Sequence, residues 1–421
     1  MRIEVINTGS ELLLGTVRDA HLCWLAGEIF PLGFRIGRQT TVPDGEPIRE
    51  ALLESFGRSD LVIVSGGLGP TTDDITREVA AEVTGRRLIP HPDTLERIHE
   101  RCRKRGFTFQ ERMGRQAMVP EGAEVLPNDN GTAPGLYLPA MKREEFLLPH
   151  LFLLPGPPRE LQPMARAHLM PFLMKHAAGK SGSECRIYRI TGMGESLVEA
   201  KVGLALSARG DLEVGYCARP NEVDFRLIGT KEILDEVDPL VRSAVGENLV
   251  TEGDDALEEV VVNLLHVNGA TLATAESCTG GLLANRITDV PGASAVFLEG
   301  FVTYSNASKT DQLGVPEALI SEHGAVSEQV VRAMAEGALH ASGASYALST
   351  TGIAGPDGGS PEKPVGTVWI ALASRDGETE AWMERFPTDR ITFKRMTAQS
   401  ALDRLRRRLK GSVSSQVRRP S

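Results

Sequence analysis

The sequence predicts two α/β domains with mainly parallel sheets, joined by a small α+β connector. Three observations lead there. Over the first 170 residues, short β-branched runs alternate with longer helical patterns, as they do when crossover helices cover a parallel sheet. The same alternation returns between residues 256 and 410. The stretch between changes character, and a chain of 421 residues is too long for one ordinary core. The expected divisions are 1–170, 171–252 and 256–411, with 412–421 read as a disordered tail.

In chain order, "RIEVINTG" reads as a first strand ending in a glycine loop. "AHLCWLAGEIFPLGF" then forms a helix with Leu22, Leu25, Ala26 and Ile29 on one face. "LVIVSGGLGPTTDD" is a buried strand running into a second glycine loop, and "ITREVAAEVTG" continues as a helix. "LFLLPGPPREL" is a third buried strand with a proline-stiffened loop behind it. "CRIYRITGMGESLVEAKVG" and "LEVGYCARPNEVDFRLIG" make the connector, and the acidic "TEGDDALEEV" marks the next linker and helix start. "GATLATAES", "SYALSTTGIAGP" and "GTVWIALAS" are strands of the last domain, with alanine-rich helices between them.

Composition narrows the function. Hydrophobic residues at 41% and charged residues at 24% are those of a soluble globular protein. A formal charge of −10, with aromatics at 5% and no basic patch, argues against direct binding to nucleic acid. The apolar run "FLLPHLFLLPG" is broken by His150 and prolines and is far shorter than the ~20 residues of a membrane span. The start lacks a long apolar core behind a basic head, and five dispersed cysteines without a CxxC pair fit reduced thiols. A cytoplasmic protein is expected. Nine scattered histidines offer no zinc-binding spacing.

"TAESCTGGLLANRIT" places Ser277, Cys278 and Thr279 ahead of Gly280 and Gly281, where a strand feeds a helix. A hydroxyl there faces backbone N–H groups at the helix start, which could stabilise an oxyanion. Equally, Ser277 or Thr279 could simply cap the helix. A nucleophilic serine needs a base, and "GFVTYSNASKTDQLGV" offers Tyr304 and Lys309 at the end of an apolar run. Lys309 could also be an ordinary exposed helix lysine. "STTGIAGPDGGSPEKPVGTVWIAL" joins two strands through a loop rich in glycine and proline, with Thr351 and Gly352 at its near edge. Such a loop can present N–H groups to a ligand or serve only as a connection.

Together "AESCTGG", "GFVTYSN", "GAVSE", "TGIAGPDGG" and "KPVGTVW" resemble the C-terminal domain of the competence/damage-inducible CinA family, whose stand-alone relatives are nicotinamide-nucleotide amidases of the PncC type. The resemblance implies hydrolysis of nicotinamide mononucleotide (NMN) to nicotinic acid mononucleotide and ammonia, with no cofactor. It places the nucleophile on Ser277, with Tyr304, Lys309, Thr351 and Arg390 as further catalytic positions. Thr279, Gly280, Gly281 and Gly352 would hold the oxyanion or substrate. Thr388 stands where the family has the glycine of its "GDR"-like stretch.

"SGGLGPTTDDIT" combines backbone donors at Gly66, Gly67 and Gly69 with adjacent carboxylates, Asp73 and Asp74. Carboxylates beside a phosphate suggest a bridging divalent metal, although either aspartate could instead cap the following helix. With "TGSELLLGTVRD", "TVPDGEPI", "NGTAPG" and "LPGPPREL", the segment resembles the MoaB/MogA molybdopterin-binding fold as found at the N-terminus of CinA proteins. That resemblance implies a metal-dependent ADP-ribose pyrophosphatase. Asp44 and Asp74 fall on the acidic positions of its site, and Glu11, Asp19, Asp73, Asn130 and Glu160 fall on the other motif loops. His21 replaces the family's usual asparagine at the start of the first helix. A homodimer acting on small nucleotides follows from the resemblance. The alternatives are a non-catalytic scaffold and a pterin-binding module.

Overall fold

The protein is described by a computed structural model covering residues 1–106, 108–143, 146–177 and 184–417. The chain forms two compact units, Met1–Ser183 and Glu184–Ser421. Each contains an α/β domain, as the alternation predicts.

In the first unit, β1 (Ile3–Thr8), α1 (His21–Ile29), β2 (Ile36–Val42), α2 (Pro47–Ser55), β3 (Leu61–Ser65) and α3 (Thr76–Thr84) alternate. They are followed by α4 (Pro92–Lys104), β4 (Glu124–Leu126), β5 (Gly135–Leu138), β6 (His150–Leu154) and α5 (Pro158–Met164). The sheet order is β2-β1-β3-β6-β5-β4. Its first four strands are parallel and its last two pairings antiparallel. The central strands are apolar throughout because both faces are covered. Ile3, Val5, Leu61, Ile63, Phe152 and Leu154 pack on one face with Leu25 and Leu161. Ile6, Val62, Val64, Leu151 and Leu153 pack on the other with Leu52 and Val79. The chain leaves β1 for β2 on one side and returns to β3 on the other. The ends of β1 and β3 therefore flank a topological switch point, where open α/β sheets bind ligands. Residue 171, the expected start of the connector, lies inside a helix (Met170–Ala177) whose Met170 and Leu173 belong to the first unit's core.

The second unit opens with an antiparallel sheet of β7 (Glu184–Thr191), β8 (Glu213–Arg219), β9 (Glu222–Gly229) and β10 (Leu249–Glu252), in the order β8-β9-β7-β10. Helix α6 (Lys231–Val245) packs against it through Leu234, Val237 and Val241, and the helical stretch 195–207 through Val198, Val202 and Leu206, so the connector is α+β. Next come α7 (Leu257–Asn268), β11 (Leu272–Glu276), α8 (Leu282–Thr288), β12 (Phe297–Val302), α9 (Asn306–Leu313) and α10 (Glu328–Ser342). The chain ends with β13 (Tyr346–Gly352), β14 (Thr367–Ser374), β15 (Glu380–Arg385) and α11 (Arg390–Val417). This sheet, β12-β11-β13-β14-β15, is parallel over its first three strands and antiparallel over the rest. Val330, Val331 and Met334 of α10 cover one face, and Val261, Leu265, Phe393 and Leu402 of α7 and α11 cover the other. The tail expected from residue 412 is instead helical to Val417, and 418–421 lie outside the described residues. Extending an anchored helix adds one hydrogen bond per residue fixed, and no proline interrupts this one. Among the described residues no helix is long and apolar enough to cross a membrane.

Candidate active site

β11 ends on Glu276, a fully buried carboxylate. Its Oε2 accepts from the Leu283 N–H at 3.0 Å and its Oε1 from the Ala284 N–H at 2.9 Å. The chain can fold back so sharply because Gly280 (φ 59°) and Gly281 (φ 89°) occupy the left-handed region. Glu276 therefore caps α8, and the question posed by the sequence has a geometric answer: neither Ser277 nor Thr279 is the cap. The Ser277 N–H donates to the Thr350 carbonyl at 2.9 Å, which fixes its backbone and leaves its hydroxyl for other partners. Thr279 is buried, its hydroxyl 2.7 Å from that of Thr350, so its side chain braces the turn from behind.

The partner of the Ser277 hydroxyl comes from α9. Ser305 caps that helix, accepting from the Ser308 N–H at 3.1 Å, and so fixes the direction in which Lys309 leaves it. The Lys309 Nζ lies 3.2 Å from Ser277 Oγ and 2.9 Å from the Thr303 carbonyl oxygen. Lys309 is only 1% exposed, and no carboxylate pairs with it among the described residues. Burial pushes its pKa down, the direction that makes an amine a base near neutrality. Cys278 is buried in the core, and burial pushes its thiol up to about 12. The neighbouring thiol is thus held protonated, away from the thiolate form that reacts.

Tyr304 and Arg390 also come together. The Arg390 guanidinium donates to the Tyr304 hydroxyl at 2.7 Å and to the Gly355 carbonyl at 3.1 Å, tying α11 to the glycine-rich loop. The Tyr304 side chain is 59% exposed, while its carbonyl is 3.4 Å from Lys309 Nζ. Thr351 is placed differently. It is buried, and its hydroxyl donates to the Ala325 carbonyl at 2.8 Å, bracing the loop. Gly352 is a close-approach position, since a Cβ there would lie 2.8 Å from the Thr367 carbonyl oxygen. Among the expected oxyanion donors, the Gly280 N–H is already engaged by the Ser277 carbonyl at 3.1 Å. The N–H groups of Cys278, Thr279 and Gly281 make no backbone hydrogen bond among the described residues.

Two residues were missed in the sequence. Glu276 stood inside the quoted stretch but gives no signal of turning inward. Lys394 lies four residues after Arg390, hence on the same face of α11, and its Nζ is 3.5 Å from where a Gly280 Cβ would sit. That spacing was readable.

At the switch point of the first unit, the motif loops meet over short distances. A Cβ on Gly66 would lie 2.6 Å from Thr8 Oγ1, one on Gly67 2.0 Å from Thr76 Oγ1, and one on Gly156 3.6 Å from Gly66 Cα. Most of the expected acidic residues hold this framework. Asp19 accepts from Asn7 Nδ2 at 2.6 Å and, through Oδ1, from the N–H of His21 at 2.9 Å, so it positions the start of α1. Asp44 accepts from the Ser10 N–H at 3.0 Å. Glu160 accepts from Asn128 Nδ2 at 2.8 Å, and the N–H of Asn130 donates to Asn128 Oδ1 at 3.0 Å. Glu11 is exposed at the head of the first loop, its Oε1 2.7 Å from where a Gly9 Cβ would be.

Both members of the expected metal pair turn to Thr71, whose hydrogen bond holds the Asp73 carboxyl below its ordinary pKa. Asp74 accepts from both the N–H and the hydroxyl of Thr71, closing its own loop, and a Cβ on Gly69 would lie 2.3 Å from its Oδ2. Asp73 brings no third ligand. Among the described residues no group of three or more His, Cys, Asp and Glu comes together to hold a metal ion. Neither aspartate caps α3, whose N-cap, Ile75, makes no side-chain hydrogen bond.

Comparison with known proteins agrees with this two-part layout. Residues 4–175 match the family described as "Probable molybdopterin binding domain", and residues 254–409 match the "CinA C-terminal domain". A CinA-like protein of Akkermansia muciniphila is 49% identical over 402 residues, covering 96% of each chain. One from Geobacter sulfurreducens is 41% identical over 417 residues, covering 97% of this chain and 99% of that one. Among solved structures, the competence/damage inducible protein CihA from Agrobacterium tumefaciens is 42% identical, with 36% of this chain and 94% of that chain covered and a TM-score of 0.35.

Proposed function

The chain belongs to the CinA family, and on that premise we propose that its C-terminal domain is a serine amidohydrolase converting NMN to nicotinic acid mononucleotide and ammonia. The observation that carries the proposal is the buried, carboxylate-free amine of Lys309 at 3.2 Å from Ser277 Oγ. Neutral Lys309 takes the Ser277 proton as Oγ attacks the carboxamide carbon. The N–H groups of Cys278, Thr279 and Gly281 are the available donors to the resulting oxyanion. The C–N bond then breaks, the Lys309 ammonium returns its proton to the leaving nitrogen, and ammonia departs. A water molecule attacks the acyl ester by the same route and releases the acid and Ser277. Tyr304, Arg390 and Lys394 line the approach, and the two cations suit the substrate's phosphate. Thr351 acts through the loop it braces and is a positioning residue.

Ammonia release from NMN, in EDTA, by the full chain and by Ser277→Ala tests this reading. Release that the variant loses by a factor of about 10³ or more supports a metal-free serine amidase. No release from folded wild type, or equal release from both, overturns it.

For the N-terminal domain we infer binding of a diphosphate such as ADP-ribose, with hydrolysis completing a pyridine-nucleotide recycling pair. The convergence of the motif loops at the switch point supports the binding part. Asp74 is tied into its own loop by the N–H and hydroxyl of Thr71. The fold also favours a pterin ligand, and binding of one without diphosphate cleavage would select that reading. A cytoplasmic homodimer belongs to the same proposal and is supported by the family resemblance.

A further inference from the structure

We propose that the concave surface between α4 and the two glycine loops of the first unit is an arginine-built site for a diphosphate-bearing nucleotide, binding its phosphates with no metal between. The proposal rests on the diphosphate reading of this domain and says what would hold the charge. Two adjoining cavities, of about 320 and 470 Å³, share Arg101 and Thr132. The first is lined by Arg97, Lys104 and Asn128, the second by Pro70, Arg105 and Arg112. Pro70 of the "SGGLGP" loop and Gly131, Thr132 and Pro134 of the "NGTAPG" loop, far apart in sequence, thus line cavities along one basic helix. Arg97, Arg101 and Arg105 recur every four residues and so share a face.

A basic helix end is ordinarily explained by the helix dipole, which favours cations in the last turn. That explanation covers the place of Arg101 in the last turn but not the way its charge is held. Its guanidinium donates to the Asn128 and Asp129 carbonyls at 3.3 and 2.7 Å, while its Nε is buried without a partner. The charge is therefore fixed in the wall and faces no carboxylate at hydrogen-bonding distance. Burial and then the positive charge of Arg105 push its pKa down, against the opposing pull of Glu160 and Asp129, so an anion in the cavity would favour a charge that burial penalises. Across both linings, five cations face only Glu100 and Asp129, and Lys104 lies 3.9 Å from Glu100. The cations fall into two groups with Arg101 between them, an arrangement for two phosphate groups rather than one. Guanidinium suits this role because it stays charged and donates in a fork.

The test is equilibrium titration of the full chain, in EDTA at low salt, with ADP-ribose, inorganic pyrophosphate and adenosine. Arg105 and Arg112 are exposed, so the double variant R105Q/R112Q should fold, and an unchanged Tm checks this. The expected result is metal-free binding of ADP-ribose and pyrophosphate by wild type. The double variant should weaken both about tenfold or more and flatten the salt dependence, with adenosine unaffected. No binding of either anion by wild type, or equal binding by the variant, overturns the site. ADP-ribose hydrolysis with added divalent ions, read in parallel, separates the two claims. Hydrolysis with an unchanged KM in the variant removes the arginine site and keeps the pyrophosphatase. Arginine-dependent binding with no hydrolysis under any metal keeps the site and removes the pyrophosphatase.

Discussion

The junctions after β3 and after β11 use the same ingredients in different order: a buried strand, a glycine pair, hydroxyl residues and an acidic residue before a helix. In space they are opposites. After β11 the carboxylate, Glu276, turns inward and caps α8, which leaves Ser277 facing a buried lysine. After β3 the carboxylate, Asp74, turns onto its own Thr71, and the cations beside the turn are arginines, with Arg115 donating to the Thr71 carbonyl at 3.3 Å. The chemical consequence follows from the cations. A buried lysine can give up its proton and act as a base, whereas a guanidinium stays charged and can only bind. One loop is thereby suited to making and breaking bonds, the other to holding an anion.

The sharpest way to break this contrast is to remove the titratable cation. Lys309→Met keeps the volume and deletes the base, so NMN turnover should fall by about 10³-fold or more. In wild type, kcat/KM should rise with pH through the lowered pKa of Lys309, below the ordinary lysine range. A profile that is flat there, or a variant retaining turnover, would deny Lys309 its role. The same group links stability to pH. Between its lowered folded pKa and its ordinary unfolded value, the unfolded chain binds one more proton than the native one. Wild type should therefore lose stability relative to Lys309→Met as pH falls through that window. Chemical denaturation of both proteins across it is the measurement.

A smaller effect is expected behind the nucleophile. In Glu276→Gln one amide oxygen can still accept an N–H of α8, but the NH₂ group faces the other. The lost bond, in a buried place, should cost about 1–3 kcal/mol. Melting temperature should drop by a few degrees, and kcat should fall with KM little changed, because the turn carrying Ser277 loosens. An unchanged melting temperature would mean that Glu276 does not hold that turn.

The fold was legible because its central strands are apolar runs and its helices have clear faces. Glycine pairs marked the strand ends that meet at each site. Ser277 and Lys309 were both readable as candidates, but what joins them was not. Sequence spacing says nothing of the fact that β11 and β12 are neighbours, which brings the start of α9 beside the Ser277 turn. Thr351 shows the converse. Its motif marked it, yet strand alternation turns its hydroxyl to Ala325. The aspartate pair shows a related limit of spacing: Asp74 turns to Thr71 of its own loop. Adjacent carboxylates look like a ligand set in one dimension, but a short polar side chain in a turn bonds most readily to the backbone near it.

That last point yields the mildest prediction. Asp74 uses its carboxylate as an acceptor for Thr71, a role an amide oxygen can share, so Asp74→Asn should change stability by less than about 1 kcal/mol. Asp74→Ala removes the acceptor altogether and should cost about 1 kcal/mol more, read as a shift in the urea midpoint. The affinity of the protein for divalent ions, measured by calorimetry without nucleotide, should be the same in wild type and Asp74→Asn. A metal-dependent rise in melting temperature that Asp74→Asn abolishes would show that the loop opens to give its carboxylate to a cation. The contrast between the two junctions would then narrow, with the first carrying metal chemistry as well as anion binding.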